Sequence, residues 1–304
     1  MPTNDIGSRL RQRIRADGPI RFDAWVESCL YDASGGFYAR GARLGPGGAF
    51  TTAPTLHPAF AAAVVAEAAA AGVDRVLEAG PGDGALAGAL VEAGLEVVLL
   101  ERAEGMRRLQ RERLGDRAHW IAEVPEVAPF DGLVVANELL DAIPFRLFAD
   151  GVELFVGLDA AGRFTAVPTP RARAARTIRR PQLEPLLRGL ADVLRRGRLL
   201  LIDYAAAPGD PRDPVRTYIG GRHGGDPLQA PGTQDITADV DFAEVRAILA
   251  AAGLAVVADE PQAVWLRRHG AAPPPLEGRT DDGWRMARLF DETLPFRVVV
   301  AERA

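Results

Sequence analysis

Three glycines, Gly80, Gly82 and Gly84, alternate with other residues in "EAGPGDGAL", directly after the apolar run "RVL". Backbone this bare between a strand and a helix lets a ligand approach the main chain and meet the N–H groups of a helix N-terminus. "GPGDGA", with Pro81 inside it, satisfies the dinucleotide fingerprint G-x-G-x-x-G/A, and Glu101 follows about 20 residues on, where an acid binds ribose hydroxyls. Glu78, however, stands just before the first glycine. A carboxylate there works against a pyrophosphate and favours a ligand that is itself cationic. A second constellation, Asn137, Glu138 and Asp141 in "VVANELLDAIPF", follows a later apolar run. On a helical turn Glu138 and Asp141 share a face, and paired carboxylates suit a guanidinium through bidentate charge-assisted bonds. An ordinary helix N-terminus would also favour these acids.

The elements that must position these groups alternate short β-like runs with helical stretches from residue 73 onward, which predicts an α/β protein with a mainly parallel sheet. Seven strands are expected: "VDRVLEA", "LEVVLLE", "HWIAE", "DGLVVAN", "GRLLLIDY", "LAVVADE" and "FRVVVAER". Helices are expected over "DGALAGALVEAG", "EGMRRLQRERLG", "PQLEPLLRGLADVLRR" and "TADVDFAEVRAILAAAG", the last with Thr237 or Asp239 as its N-cap. The whole of residues 1–304 reads as a single domain, with 1–72 a helical and irregular cap over the site. Ile6, Leu10 and Ile14 mark a short amphipathic helix at its start. Residues 145–168 read as a β-hairpin insertion with turns at Asp150-Gly151 and Ala161-Gly162. Residues 205–236 read as a long Pro/Gly-rich loop over the site.

Composition narrows the chemistry. All 36 basic residues are arginine, which removes pyridoxal phosphate Schiff bases, Walker A loops and kinase lysines. A net charge of −5 gives no footprint for nucleic acid or an anionic membrane. The lone Cys29 excludes internal disulfides. The four histidines lack metal-ligand spacing, so no metal site is expected. A soluble, cytoplasmic protein is expected, and a homodimer is carried as the candidate assembly.

E-x-G-x-G-x-G, from Glu78 to Gly84, resembles motif I of the class I S-adenosylmethionine methyltransferases. That cofactor has no phosphate, and its ammonium and sulfonium are cations that carboxylates favour. The resemblance implies a Rossmann-like seven-stranded sheet in the order 3-2-1-4-5-7-6. More specifically, "CLYDASGGFY", "FTTAP", "LEAGPGDGAL", "ANELLDAIP", "LIDY", "VRTY" and "APGTQDITADVDF" make the chain similar to the MidA family of methyltransferases. By that resemblance Glu78, Gly80, Pro81, Gly82, Gly84, Glu101 and Glu123 bind S-adenosylmethionine, and Asn137, Glu138 and Asp141 form the active site. The implied reaction is methyl transfer to a nitrogen, with a protein or peptide arginine as the family's acceptor. Asp235, Thr237, Asp239 and Asp241 match a family motif with no role assigned beyond closing the site.

Two departures bear on the acceptor. Ala49 and Thr55 stand where the family pattern has acids, so a specialised peptide or small-metabolite methyltransferase is a rival, as is a non-catalytic assembly factor. His223, in "GRHGGD", is the one candidate histidine base, provided that the long loop folds over the site; otherwise it is a solvated loop residue. Tyr31, Tyr38 and Tyr218 either line the pocket or pack.

Overall fold

The computed structural model describes residues 5–42, 44–45, 48, 51–206, 213–220, 222–273, 280–293 and 295–303. Its centre is a seven-stranded sheet built from Arg75–Ala79, Glu96–Leu100, His119–Ile121, Phe130–Asn137, Leu194–Tyr204, Ala255–Pro261 and Phe296–Arg303. Numbered in chain order, these strands lie 3-2-1-4-5-7-6, as expected. Strands one to five are parallel, and the seventh is antiparallel to both of its neighbours.

The near-continuous apolar runs follow from burial on both faces. Val76, Leu200, Ile202, Val298 and Val300 point into one core with the helices Pro58–Ala71, Ala85–Glu92 and Gln262–Arg268. Leu77, Val134, Leu199, Leu201 and Val299, one position out of phase, point into the other with Leu183–Asp192 and Phe242–Ala251. No helix among the described residues is long and apolar enough to cross a membrane.

Several expectations change. The N-terminal region holds an unforeseen helix, Phe22–Tyr31, whose Phe22, Trp25, Val26, Cys29 and Leu30 are fully buried at helical spacing. The hairpin at 145–168 exists, with left-handed Asp150 and Gly151 in its first turn, but it is part of a larger sheet. Arg146–Ala149, Val152–Leu158 and Phe164–Val167 join Ile20–Arg21 and Arg176–Arg179 in five strands behind the cap helix. The described part of 205–236 is likewise no structureless loop, since Val215–Ile219 pairs with both Arg222–His223 and Asp235–Ala238. That last strand displaces the expected start of the next helix. Phe242–Ala251 is capped by Asp241, whose side chain accepts the N–H groups of Ala243 and Glu244, and not by Thr237 or Asp239.

The cap region has its own apolar core, which joins Ile6, Leu10 and Ile14 to Trp25, Phe145, Val156 and Ile236. Helix Pro58–Ala71 belongs instead to the central sheet, so the cap ends before residue 58.

Candidate active site

The sheet's carboxyl end opens into a cavity of about 730 Å³ between the glycine loop, the turn after the fourth strand and the cap. Gly80, Gly82 and Gly84 all have positive φ (68°, 55° and 80°), which an L side chain adopts only at a cost. Gly80, Pro81 and Gly82 line the cavity. Gly84 does not; it is the N-cap of Ala85–Glu92 and packs over Gln110 and Leu114. Gln110, which the sequence reading missed, is fully buried. Its Nε2 donates to the Gly82 carbonyl (2.7 Å) and to Glu101 Oε2 (3.3 Å), and its Oε1 accepts the Trp120 indole N–H (3.0 Å). One side chain thus ties the glycine loop to the acid at the end of the second strand.

Glu78 lines the same cavity at 3% exposure, and its Oε2 has no hydrogen-bond partner among the described residues. Burial, helped by the nearby Asp83 charge, pushes its carboxyl up to about 8. A buried acceptor left open beside bare backbone suits a cationic ligand group. Glu101 is also raised by burial, against hydrogen bonds from the Ala103 N–H (2.7 Å) and Gln110. Glu123 lies at the exposed edge of the cavity, its own N–H held by Glu126 (2.7 Å).

The "NELLDAIP" segment is a tight turn, not a helical one. Glu138 has φ 51°, a left-handed conformation that costs a non-glycine residue about 1–3 kcal/mol and persists where the surroundings enforce it. Here its N–H is held by the Ile202 carbonyl (2.8 Å). Its Oε1 accepts the Ala53 N–H and Asn137 Nδ2, both at 3.2 Å. Asn137 and Glu138 line the cavity; Asp141 is buried behind them, with one carboxylate oxygen unpartnered among the described residues. The expected shared face of Glu138 and Asp141 is therefore absent, because the turn sends the two side chains to different places. Burial pushes Glu138 to about 8, with the Asp203 and Asp235 charges adding to it. Asp141 is raised by burial and then by Asp203, Asp235 and Glu138.

Asp203, from "LIDY", is the residue that builds this turn. Its Oδ2 accepts the N–H groups of Leu140 (2.8 Å) and Asp141 (3.3 Å), and its Oδ1 that of Tyr204 (2.8 Å). Asp203→Ala leaves buried donors unpaired, each costing about 1–3 kcal/mol. A lower melting temperature is expected, together with loss of activity at saturating cofactor; an unchanged melt would remove Asp203 from this role.

The cap supplies the facing wall. Asp23, Glu27 and Tyr31 look into the cavity from helix Phe22–Tyr31, and Tyr38 from the turn beyond it. Arg102 pairs with both Glu27 oxygens (2.7 and 2.6 Å) and sits over the Tyr31 ring at 3.6 Å. Pro181, Gln182 and Leu186 complete the lining; nothing in their sequence context marked them. No described residue of 145–168 or 205–236 reaches the cavity. His223 is exposed on a two-residue strand against Tyr218, away from the site. Among the described residues no group of three or more His, Cys, Asp or Glu is placed to hold a metal ion.

Ala49 lies outside the described residues. Thr55 does not line the cavity. Its Oγ1 accepts the Thr52 N–H (3.2 Å) and donates to the Thr52 carbonyl (2.8 Å), capping the short helix Ala53–Leu56. A hydroxyl thus does capping work that an acid can also do at that position.

Strand order, glycine loop, and a buried Glu78 with one carboxyl oxygen open where a cation fits define the class: an S-adenosylmethionine-dependent methyltransferase. The chain belongs to the family of S-adenosyl-L-methionine-dependent methyltransferases whose model matches residues 60–258. It is 26% identical over 302 residues to the mitochondrial protein arginine methyltransferase NDUFAF7 of Danio rerio, covering 79% of this chain and 71% of that one. The Mus musculus protein of the same name is 25% identical, at 80% and 70% coverage. A crystal structure of a COG1565 superfamily member from Burkholderia thailandensis, bound to S-adenosyl-homocysteine, superposes with a TM-score of 0.86 at 29% identity, covering 98% and 92%.

Proposed function

We propose that this methyltransferase acts on a nitrogen acceptor, and that the acceptor is a protein arginine. The observation that carries the reading is Glu138, held in a left-handed conformation with its carboxylate at the cavity and Asp141, Asp203 and Asp235 buried around it. Such a concentration of acidic groups favours a cation over an anion. A guanidinium also answers the planar carboxylate with paired donors. The relatives named as protein arginine methyltransferases support the same choice.

S-adenosylmethionine supplies a methyl group on a cationic sulfonium. In this reading Gly80, Pro81 and Gly82 give it bare backbone to lie against, Glu78 meets its cationic amino-acid end, and Glu101 takes the ribose hydroxyls. Glu123 stands at the adenine end. Glu138 orients the acceptor nitrogen, and Asn137 fixes Glu138 through its amide (3.2 Å). Orientation and proximity are the enzyme's main contribution to such a displacement.

A lysate labelled with tritiated S-adenosylmethionine tests the acceptor. Label is expected in the protein fraction, released as methylated arginine on acid hydrolysis. Label confined to small molecules would overturn the arginine reading. Glu138→Gln keeps the size and the contact to Ala53 while removing the charge. It is expected to lower labelling by about 100-fold or more while leaving S-adenosyl-homocysteine affinity within a few-fold by calorimetry. Undiminished labelling would remove Glu138 from the chemistry.

A further inference from the structure

The stretch "PGTQDITADVDF" lies wholly outside the cavity lining, yet its acids are not equivalent. Asp241 caps a helix, and Asp239 pairs with Arg216. Asp235 reaches the site at one remove. It is 2% exposed, and its Oδ1 accepts the hydroxyl hydrogen of Tyr38 at 3.0 Å. Tyr38 itself faces the cavity.

We propose that Tyr38 is a catalytic residue that takes the proton released by the acceptor nitrogen, with Asp235 as the positioning residue that receives the tyrosine's own proton. This rests on the nitrogen-acceptor reading above. The balance is simple. The nitrogen bonds to the methyl carbon as the carbon–sulfur bond breaks, and the bonding pair leaves with sulfur. The N–H proton passes to Tyr38 Oη as the phenolic proton passes to Asp235 Oδ1. The tyrosine is regenerated, and one carboxylate ends as a carboxylic acid.

Three contrasts single out this pair. Tyr31 stacks on Tyr38 (centroids 5.5 Å apart), but its hydroxyl donates to the Ala142 carbonyl (3.1 Å), which cannot take up a proton. Glu138 already accepts two hydrogen bonds, from the Ala53 N–H and Asn137 Nδ2, which fix its carboxyl in place to orient the acceptor. Among the described residues Asp235 has no cation as a close partner; besides the Tyr38 hydroxyl it accepts the Ile236 N–H, so a carboxylate there gains by being neutralised. Burial pushes it up to about 7, within reach of a working proton acceptor at neutral pH.

Tyr38→Phe keeps the ring stack and deletes only the hydroxyl. Single-turnover labelling of a lysate with tritiated S-adenosylmethionine is expected to fall by about 10²–10⁴-fold, with S-adenosyl-homocysteine affinity within threefold of wild type. A second readout needs no acceptor. In protein carrying ¹³C at tyrosine Cζ, the Tyr38 resonance, assigned with Tyr38→Phe, is expected to move with an inflection near pH 7. The other titrating groups around the pair are Glu138, Asp141, Tyr31 and Tyr218, with Arg102 on the Tyr31 ring and Arg216 beside Tyr218 as described fixed charges. The inflection should therefore survive Glu138→Gln and vanish in Asp235→Asn. Should Asp235→Asn fail to fold, the Tyr38→Phe rate decides alone. A Tyr38→Phe rate within threefold of wild type, or no inflection in wild type, overturns the proposal. Wild type that binds cofactor but labels nothing overturns the acceptor reading, and the proton-transfer role falls with it.

Discussion

Gly82→Val abolishes cofactor binding: calorimetry that resolves S-adenosyl-homocysteine binding to the wild type is expected to return no binding heat with this variant. The first cause is conformational. Gly82 sits at φ 55°, where a side chain costs about 1–3 kcal/mol and a β-branched one is worst placed. The second is steric, since a Cβ would lie 2.8 Å from Leu44 Cδ1, on the cavity side of the loop. The third is the Gly82 carbonyl, fixed by Gln110, whose other bond reaches Glu101. A loop that shifts to relieve the strain therefore disturbs both ends of the cofactor site. Gly151→Ala is the control: φ is 79° there too, but no atom lies within 4 Å of the added Cβ, on a turn remote from the cavity. It should lower the melting temperature slightly and leave affinity unchanged. Gly82→Val with affinity within threefold of wild type would mean that the bareness of the loop has no part in binding.

What the sequence made legible was whatever rests on local periodicity. The seven strands came from apolar runs punctuated by glycines, because strands buried on both faces leave an uninterrupted signal, whereas their order came only from the resemblance of the motifs to a known family. Helix Phe22–Tyr31 carried an equally good signal at Phe22, Trp25, Val26, Cys29 and Leu30. It was masked by the glycine- and aromatic-rich sequence that follows. The small strands at 20–21, 176–179 and 215–223 had no such chance. They are two to five residues long, and those at 20–21, 176–179 and 215–219 are held by partners more than fifteen residues away in the chain.

The site divides in the same way. Glu78, Gly80 and Gly82 are contiguous, so their motif survives in one stretch and all three meet in the cavity. Glu138 and Asp141 are equally close in sequence, but a left-handed Glu138 breaks the helical geometry that would have joined them. That conformation is imposed by Ile202 and Asp203, over 60 residues later, and no local pattern encodes it. Gln110 and Asp235 act through hydrogen bonds to distant residues. His223 shows the converse error: a chemically able residue in a long glycine-rich segment is drawn away from the site by strand pairing.

The acids that make the site also predict an unusual pH dependence. Glu78 and Glu138 are raised from 4.5 to about 8, Asp235 from 3.8 to about 7 and Asp203 from 3.8 to about 6, in each case chiefly by burial. Between those ordinary values and the raised ones, the native protein holds protons that the unfolded chain has released. Stability therefore falls as pH rises through this window, because the slope follows the protons bound unfolded minus those bound native. Asp32 and Glu153, lowered by Ser34 and by Arg146 respectively against the cost of burial, act oppositely and lose their contribution only at acid pH. The melting temperature without cofactor should accordingly be highest at about pH 4, where the two sets of acids meet, and drop by about 5 °C or more by pH 8.5, at about 2–4 °C per kcal/mol. Cofactor reverses part of this. A cationic group facing Glu78 favours its ionised form, so affinity for S-adenosyl-homocysteine should rise with pH through about 8 and binding should release a proton. Calorimetry in buffers of different ionisation heat reads that proton directly, and Glu78→Gln should remove it. A melting temperature that climbs steadily to pH 8.5, or binding without proton release, would mean that Glu78 is already ionised and that its buried, unpartnered oxygen is not what selects the cofactor's charge.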